Sequence, residues 1–334
     1  MKIGMFVNDV ASEQPTYTTT RLAHAALGRD HEVWYIGAGD FACDPDDAVR
    51  ARAWPVPCGA TDVESLLDGA ADADRRRLTV DDLDVLLLRN DPADDLVDRP
   101  WAQTAGILFG DLAARHGVTV VNDPTGLGRA RTKLYLEHLP PEVRPASLIT
   151  RDVDEVRAFV EQRGGAAVLK PVQGSGGSGV FIVKSDDQVN LDQMVEALAR
   201  DGYLIAQELL PEASEGDTRL FLVDGRPLRS DGVYAAFRRL SADGEARTNM
   251  RVGGTVEPAD VDDAMLELAD RIRPQLVEDG IFFAGLDIAA GRLLEVNVFS
   301  PGGLGSVQRM TGVDFAPVVI EALEQLADRR QATS

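Results

Sequence analysis

Cysteine is nearly absent from this chain of 334 residues: Cys43 and Cys58 are the only two. Two thiols cannot build a disulfide framework, so the fold must rest on its core and its hydrogen bonds. Histidine is scarce as well, and His24, His31, His116 and His138 are scattered. They offer no Ser/His/Asp or Cys/His arrangement for nucleophilic catalysis and read as structural. Positive charge is short: Lys+Arg 34 against Asp+Glu 55 leave a net charge of −21. That balance excludes a broad surface for nucleic acid or anionic membrane. Any site for an anionic substrate must therefore gather its Lys and Arg locally. No apolar run approaches the roughly 20 residues that span a bilayer. The apolar start gives way to Asn8-Asp9, too soon for a signal peptide. A cytoplasmic protein is expected, long enough for two or three domains.

Glycine, by contrast, is concentrated where it matters. An apolar strand ends on Lys170-Pro171, passes through Gly174, Gly176, Gly177 and Gly179, and enters Val180-Phe181-Ile182-Val183. Such glycines free the backbone to turn its N–H groups onto an anion. Gly174, Gly176 and Gly179 fit G-x-G-x-x-G, but a dinucleotide fingerprint needs a helix next, and the β-branched run that follows reads as strand. No Gly-Lys-Ser/Thr closes the loop, which excludes a Walker A motif. Two readings stand: a flap over a triphosphate, or a plain glycine-rich hairpin.

Along the chain, strands at residues 2–7, 32–36, 84–89 and 118–122 alternate with helices at 18–27 and 101–116. Alternation of this kind predicts a parallel, doubly wound first domain over residues 1–122. Residues 40–79 are acidic, Pro-bearing and weakly patterned, and read as surface excursions. Residues 122–128 are punctuation, and 129–138 a short helix carrying Arg131 and Lys133. Thr150 caps a helix over 152–162, and another runs from 190 to 201. After the strand at 203–211, Asp224-Gly225 predicts a hairpin turn. Residues 241–254 form a long polar loop of the kind that serves as a lid. A helix over 262–278 should end or kink at Pro274.

The last hairpin turns at Ala290-Gly291-Arg292. On its second strand Glu295 and Asn297 share a face, and Asp287 on the first can meet them. Two carboxylates and an amide oxygen among apolar neighbours suit Mg²⁺, which takes such ligands and completes its shell with water and phosphate. Each residue alone also fits the solvated face of a half-buried strand.

The order Lys133, Lys170-Pro171 with its glycine loop, Asp287, Glu295-Val296-Asn297, Ser300-Pro301 resembles the ATP-grasp ligases. In particular it is similar to the prokaryotic glutathione synthetase family. Matching stretches include Leu88-Arg89-Asn90-Asp91-Pro92, Gly216-Asp217-Thr218-Arg219, Arg247-Thr248-Asn249 and Gly285-Leu286-Asp287-Ile288, collinear over nearly the whole chain. The resemblance implies a mixed α/β and α+β fold: an N-terminal Rossmann-like (pre-ATP-grasp) domain over 1–122 and a two-part ATP-grasp fold. The latter divides into a central lid subdomain, 123–205, and a C-terminal catalytic subdomain, 206–330. It also implies an ATP- and Mg²⁺-dependent (Mn²⁺ possible) carboxylate–amine ligase that releases ADP and forms a peptide bond through an acyl phosphate. Glutathione synthesis from γ-glutamylcysteine and glycine is the first reading. A related amino-acid or peptide ligase is the second, and a non-catalytic nucleotide-binding regulator the third.

The resemblance further implies residue roles. Lys133 and Lys170 would hold ATP phosphates, with Gly174, Ser175, Gly176 and Gly177 closing over them. Gln207, Glu208, Leu209 and Leu210 would meet the adenine, and Asp217 the ribose. Asp287, Glu295 and Asn297 would bind the metal. Arg219, Arg239, Asn249, Asn297 and Ser300 would hold the acyl substrate, with Arg219, Arg239 and Arg247 as catalytic arginines and Arg247 and Asn249 on the lid. For Arg219 an ion pair near Asp217 is the alternative; of Arg238 and Arg239, the spacing to Arg247 favours Arg239. Partners would be small molecules, and the protein a homo-oligomer, dimer or tetramer. The chain departs from the family at Gly302-Gly303-Leu304-Gly305, where bulkier residues are expected, and at Asn8-Asp9-Val10, where an Asp-Pro turn is usual.

Overall fold

The computed structural model describes residues 1–174, 179–184, 188–240 and 255–332. The first sheet comprises β1 (Lys2–Val7), β2 (Glu32–Gly37), β3 (Phe41–Cys43), β4 (Val49–Pro55), β5 (Arg76–Thr79), β6 (Val85–Leu88) and β7 (Thr119–Val121). Its order is β3-β4-β2-β1-β6-β7, with β5 on the side of β4. β1 lies parallel between β2 and β6, and β6 pairs parallel with β7. Parallel strands are covered on both faces, which is why Met5, Phe6, Tyr35 and Leu86 are all fully buried. The helices of this region are α1 (Thr18–Leu27), α2 (Val63–Asp72) and α3 (Ala105–Arg115).

Residues 40–79 are not surface excursions. They supply β3, β4, β5 and α2, and β4 pairs antiparallel with β2. The inward positions of β4 are Val49, Ala51 and Ala53. Alternating alanines carry little hydropathy, so a true period of two was muted in the sequence.

β7 leads into α4 (Pro124–Arg129), capped by Asp123, whose carboxylate accepts the N–H groups of Thr125 (2.8 Å) and Gly126 (3.3 Å). The helix thus starts earlier than expected, on an Asp-Pro pair that suits a helix start as well as a turn. Lys133–His138 form a 3₁₀ turn.

The second sheet, β8 (Ser147–Thr150), β9 (Ala166–Pro171), β10 (Phe181–Lys184) and β11 (Leu204–Glu208), is antiparallel in the order β10-β9-β11-β8. β11 runs through the boundary expected at 205. Helices α5 (Val153–Gln162) and α6 (Gln188–Ala199) pack on the sheet, placing Val156, Val160, Leu191 and Val195 against Leu169, Val183 and Leu204. The cap of α5 is Asp152 rather than Thr150; the threonine hydroxyl accepts the Asp152 N–H one step earlier.

The third sheet contains β12 (Asp217–Val223), β13 (Arg226–Pro227), β16 (Ala236–Leu240), β17 (Thr255–Pro258), β18 (Phe283–Ala289) and β19 (Arg292–Asn297); β14 (Arg229–Ser230) and β15 (Val233–Tyr234) pair apart from it. Its order is β17-β16-β12-β18-β19. Both expected hairpin turns are present, with positive φ at Asp224 (52°) and Gly225 (69°) and at Ala290 (51°) and Gly291 (66°). These are the left-handed pairs a two-residue hairpin requires. α7 (Asp263–Glu278) continues through Pro274 instead of ending there. α8 (Leu304–Thr311) and α9 (Ala316–Gln331) close the fold, and Val319 and Ile320 of α9 share a core with Ile3, Met5 and Val121 of the first sheet. Among the described residues no helix is long and apolar enough to cross a membrane.

Asn122 joins the first sheet to the third. Its Oδ1 accepts the N–H groups of Phe282 and Phe283, both at 2.8 Å, while Nδ2 donates to the carbonyls of Phe283 (2.9 Å) and Val298 (2.6 Å). The start of β18 and the end of β19 are thereby fixed against the carboxyl end of the parallel sheet, where doubly wound folds place ligands.

Candidate functional site

A cleft opens at that junction. Lys133, Gly174, Glu295, Asn297 and Ser300 all line it, together with Asp91 and Arg131. Lys133 spans it: the backbone N–H donates to Val172 (3.0 Å), and Nζ donates both to the Gly174 carbonyl (2.6 Å) and to Glu295 Oε1 (2.9 Å). One ammonium thus links the edge of the glycine loop to the acidic hairpin.

Lys170 lies behind it on β9, 8% exposed, with Nζ donating to Gln207 Oε1 (3.0 Å) on the neighbouring strand. Burial pushes Lys170 down to about 8, against the pull of Glu295 and with the added repulsion of Lys133. Glu295 is only half-buried, and Lys133 holds it below the usual carboxylate range, helped by Lys170. Lys170 is not among the residues that line the cleft, though its charge and that of Glu295 act on each other. Gln207 Nε2 continues the chain to Ser147 Oγ (3.3 Å), and Glu208 is tied at both its N–H and its carboxylate to the backbone of Ala146. Leu209 and Leu210 carry the chain on from β11.

Under the cleft lies a buried charge lattice. Arg219 faces Asp287 across β12 and β18, and Asp217 faces Arg239 across β12 and β16. Residues two apart on β12 share a face, so cross-strand pairing generates the alternation. Arg219 grips Asp287 with Nε and, at 2.8 Å, with Nη2. Arg239 grips Asp217 through Nε (2.7 Å) and reaches Asp287 through Nη2 (2.7 Å). Burial works against the charge on Asp287, but the two guanidinium groups hold it at about 2. Arg219 is thus ion-paired, with Asp287 rather than Asp217. The choice at 238/239 is also resolved: Arg239 is 9% exposed, while Arg238 turns outward to Glu215 and Glu257. A Cβ on Gly285 would lie 2.8 Å from Arg219 Cδ, so this glycine leaves room for the arginine to pass.

Asp287 is in register with Glu295, and its Oδ2, which Arg219 and Arg239 also hold, accepts from Asn297 Nδ2 at 3.1 Å. Among the described residues no group of three or more His, Cys, Asp or Glu could hold a metal. Two carboxylates and one amide nevertheless fit a hard divalent cation that draws its other ligands from phosphate and water. Ser175, Gly176, Gly177, Arg247 and Asn249 lie outside the described residues.

Arg89, quoted in a matching stretch of the sequence, was given no role there. At the end of β6 it is 5% exposed, donating from Nη2 to the Pro301 carbonyl and from Nε to Thr19 Oγ1, each at 3.2 Å. The signal was its position, a charged side chain at the carboxyl end of a buried parallel strand.

A glycine-edged, lysine-bearing β-layer facing a carboxylate hairpin on a second β-layer defines the ATP-grasp class of ligases. Solved structures agree on the fold: D-cycloserine synthetase aligns with a TM-score of 0.65 and 17% identity over 98% of this chain and 99% of its own. The macrocyclase MdnC from Microcystis aeruginosa aligns at 0.62 and 12% identity over 97% and 100%. The profile of the prokaryotic glutathione synthetase N-terminal domain matches residues 1–128, and that of the prokaryotic glutathione synthetase ATP-grasp domain matches 132–312. The glutathione synthetase of Synechococcus elongatus is 33% identical over 98% of this chain and all of its own; that of Agrobacterium fabrum is 36% identical over 75% of each. The chain belongs to the prokaryotic glutathione synthetase family, whose members are ADP-forming ATP-grasp ligases.

Proposed function

We propose that the protein makes glutathione, joining γ-glutamylcysteine to glycine with conversion of ATP to ADP and phosphate. The observation that carries this reading is Lys133, whose ammonium joins the glycine-loop edge to the carboxylate of Glu295. That contact supports a reading in which phosphate-binding and metal-binding groups face one cleft. A bound Mg²⁺, held by Asp287, Glu295 and Asn297, would supply charge neutralisation at the phosphates. Lys133 and Lys170 bind phosphate oxygens, and the backbone of Gly174 to Gly177 covers them. Gln207 to Leu210 border the adenine, and Asp217 the ribose. Arg219, Arg239, Asn297 and Ser300, with Arg247 and Asn249 from the lid, orient the acyl carboxylate and stabilise charge as the γ-phosphoryl moves to it. Phosphoryl transfer asks chiefly for such positioning. Excluding water protects the acyl phosphate until the amine attacks. Three units divide the work, an N-terminal domain over 1–122 and two ATP-grasp subdomains that meet after β11, in a cytoplasmic homo-oligomer.

The test is glycine-dependent release of ADP from ATP, Mg²⁺ and γ-glutamylcysteine, with the tripeptide identified by mass. A second reading, a ligase for another acyl donor or amine, is favoured by the open ground at Gly302, where an added Cβ would approach only the Ser300 carbonyl, at 4.0 Å. ADP release with other amines and none with glycine selects it.

A further inference from the structure

The amino end of α1 carries a charged cluster outside the residues assigned to the nucleotide. Arg89 has hydrogen bonds only to neutral oxygens among the described residues, from Thr19 and Pro301, and its guanidinium lies 5.4 Å from the centroid of the Phe283 ring. Burial pulls it down to about 10, and the one carboxylate that opposes this is Glu13. Glu13 reaches in from the loop before α1 and accepts a 3.1 Å hydrogen bond from Thr20 Oγ1. Among the described residues no cation bonds it, and burial pushes it up to about 7 against Thr20 and Arg89. The Tyr35 hydroxyl is buried beside Glu13 and Thr20.

This cluster abuts the acyl end of the site. Pro301, whose carbonyl Arg89 holds, follows the cleft-lining Ser300, and Arg219 Nη1 donates to the next carbonyl, Gly302, at 3.4 Å. A buried guanidinium and a carboxylate that act on each other without pairing are suited to the two ends of an α-amino acid head group.

We propose that Glu13 is a specificity-determining residue whose carboxylate binds the α-ammonium of the γ-glutamyl head of the acyl substrate. This rests on the glutathione-synthetase reading. Glu13 must be ionised to act, and the groups that face it are Thr20, Arg89 and Tyr35. Affinity for the acyl substrate accordingly weakens as pH falls below about 7.

Calorimetry tests this with γ-glutamylcysteine and its des-amino analogue N-glutarylcysteine, each titrated into protein holding Mg²⁺ and a non-hydrolysable ATP analogue. The wild type is expected to prefer the ammonium-bearing ligand by about tenfold or more, the worth of a charge-assisted hydrogen bond. Glu13→Gln, which keeps an acceptor for Thr20, should bind the two alike and lose the acid-side weakening, while Glu13→Asp retains part of the preference. Equal affinities in the wild type, a preference that survives Glu13→Gln, or no binding of either ligand overturns the proposal. Absence of glycine-dependent turnover despite a Glu13-dependent preference would overturn the functional reading alone.

Discussion

Lys133 and Glu295 are 162 residues apart in sequence, and their side chains meet at 2.9 Å across the mouth of the cleft. The lysine precedes the second sheet and the glutamate lies on the third, so the pair measures whether the two layers enclose one site. Glu295 is 40% exposed at its side chain, so solvent screens the pair and its worth to stability is small. Its value is positional.

Lys133→Ala should therefore barely shift the thermal midpoint while raising the KM for ATP and lowering kcat/KM by about 10- to 100-fold, the loss of a charge-assisted hydrogen bond to phosphate. Coupled-enzyme assay of ADP release checks it. A wild-type KM for ATP would remove the residue from the phosphate site.

Arg219 behaves differently because it is buried. Arg219→Ala leaves Asp287 with one guanidinium instead of two, and removing one partner of a buried pair costs about 3–5 kcal/mol. Arg239 shares the load, so the loss should fall at the low end. Urea unfolding measures it, and Arg219→Lys should recover only part, since an ammonium cannot span both carboxylate oxygens.

Lys170 makes the site pH-dependent. Its folded pKa of about 8 lies below the ordinary 10.5, so between those values the unfolded chain binds more protons and this group's contribution to stability rises with pH. Nucleotide binding has the opposite demand, since phosphate favours the charged amine. Calorimetric titration of the ATP analogue at pH 8.5 should show proton uptake as a buffer-dependent heat, absent in Lys170→Met.

Asn122→Ala should detach the third sheet from the first. It leaves the buried N–H groups of Phe282 and Phe283 without their acceptor, at about 1–3 kcal/mol each. The expected result is a large fall in the thermal midpoint. A midpoint within a degree or two of wild type would mean the joint is carried elsewhere.

The parallel strands and the last hairpin were legible because each rests on local chemistry: apolar runs for the strands, and for the hairpin a turn at Ala290-Gly291 with Glu295 and Asn297 two apart on one strand. Residues 40–79 were not, because Ala51 and Ala53 fill the inward positions of β4 with small side chains that carry almost no hydrophobic signal. The pairing of Arg219 with Asp287 was hidden for another reason. It depends on the register between strands far apart in sequence, which no local pattern encodes. Arg89 and Glu13 were missed likewise, as burial of a lone charge is a property of the assembled fold.

The most direct measurement is a crystal structure of the protein with Mn²⁺ and a non-hydrolysable ATP analogue. The account predicts an anomalous peak bonded to Asp287, Glu295 and Asn297, with the triphosphate between that ion and the amines of Lys133 and Lys170. Nucleotide bound elsewhere, or a metal with no contact to the β18–β19 hairpin, would contradict it.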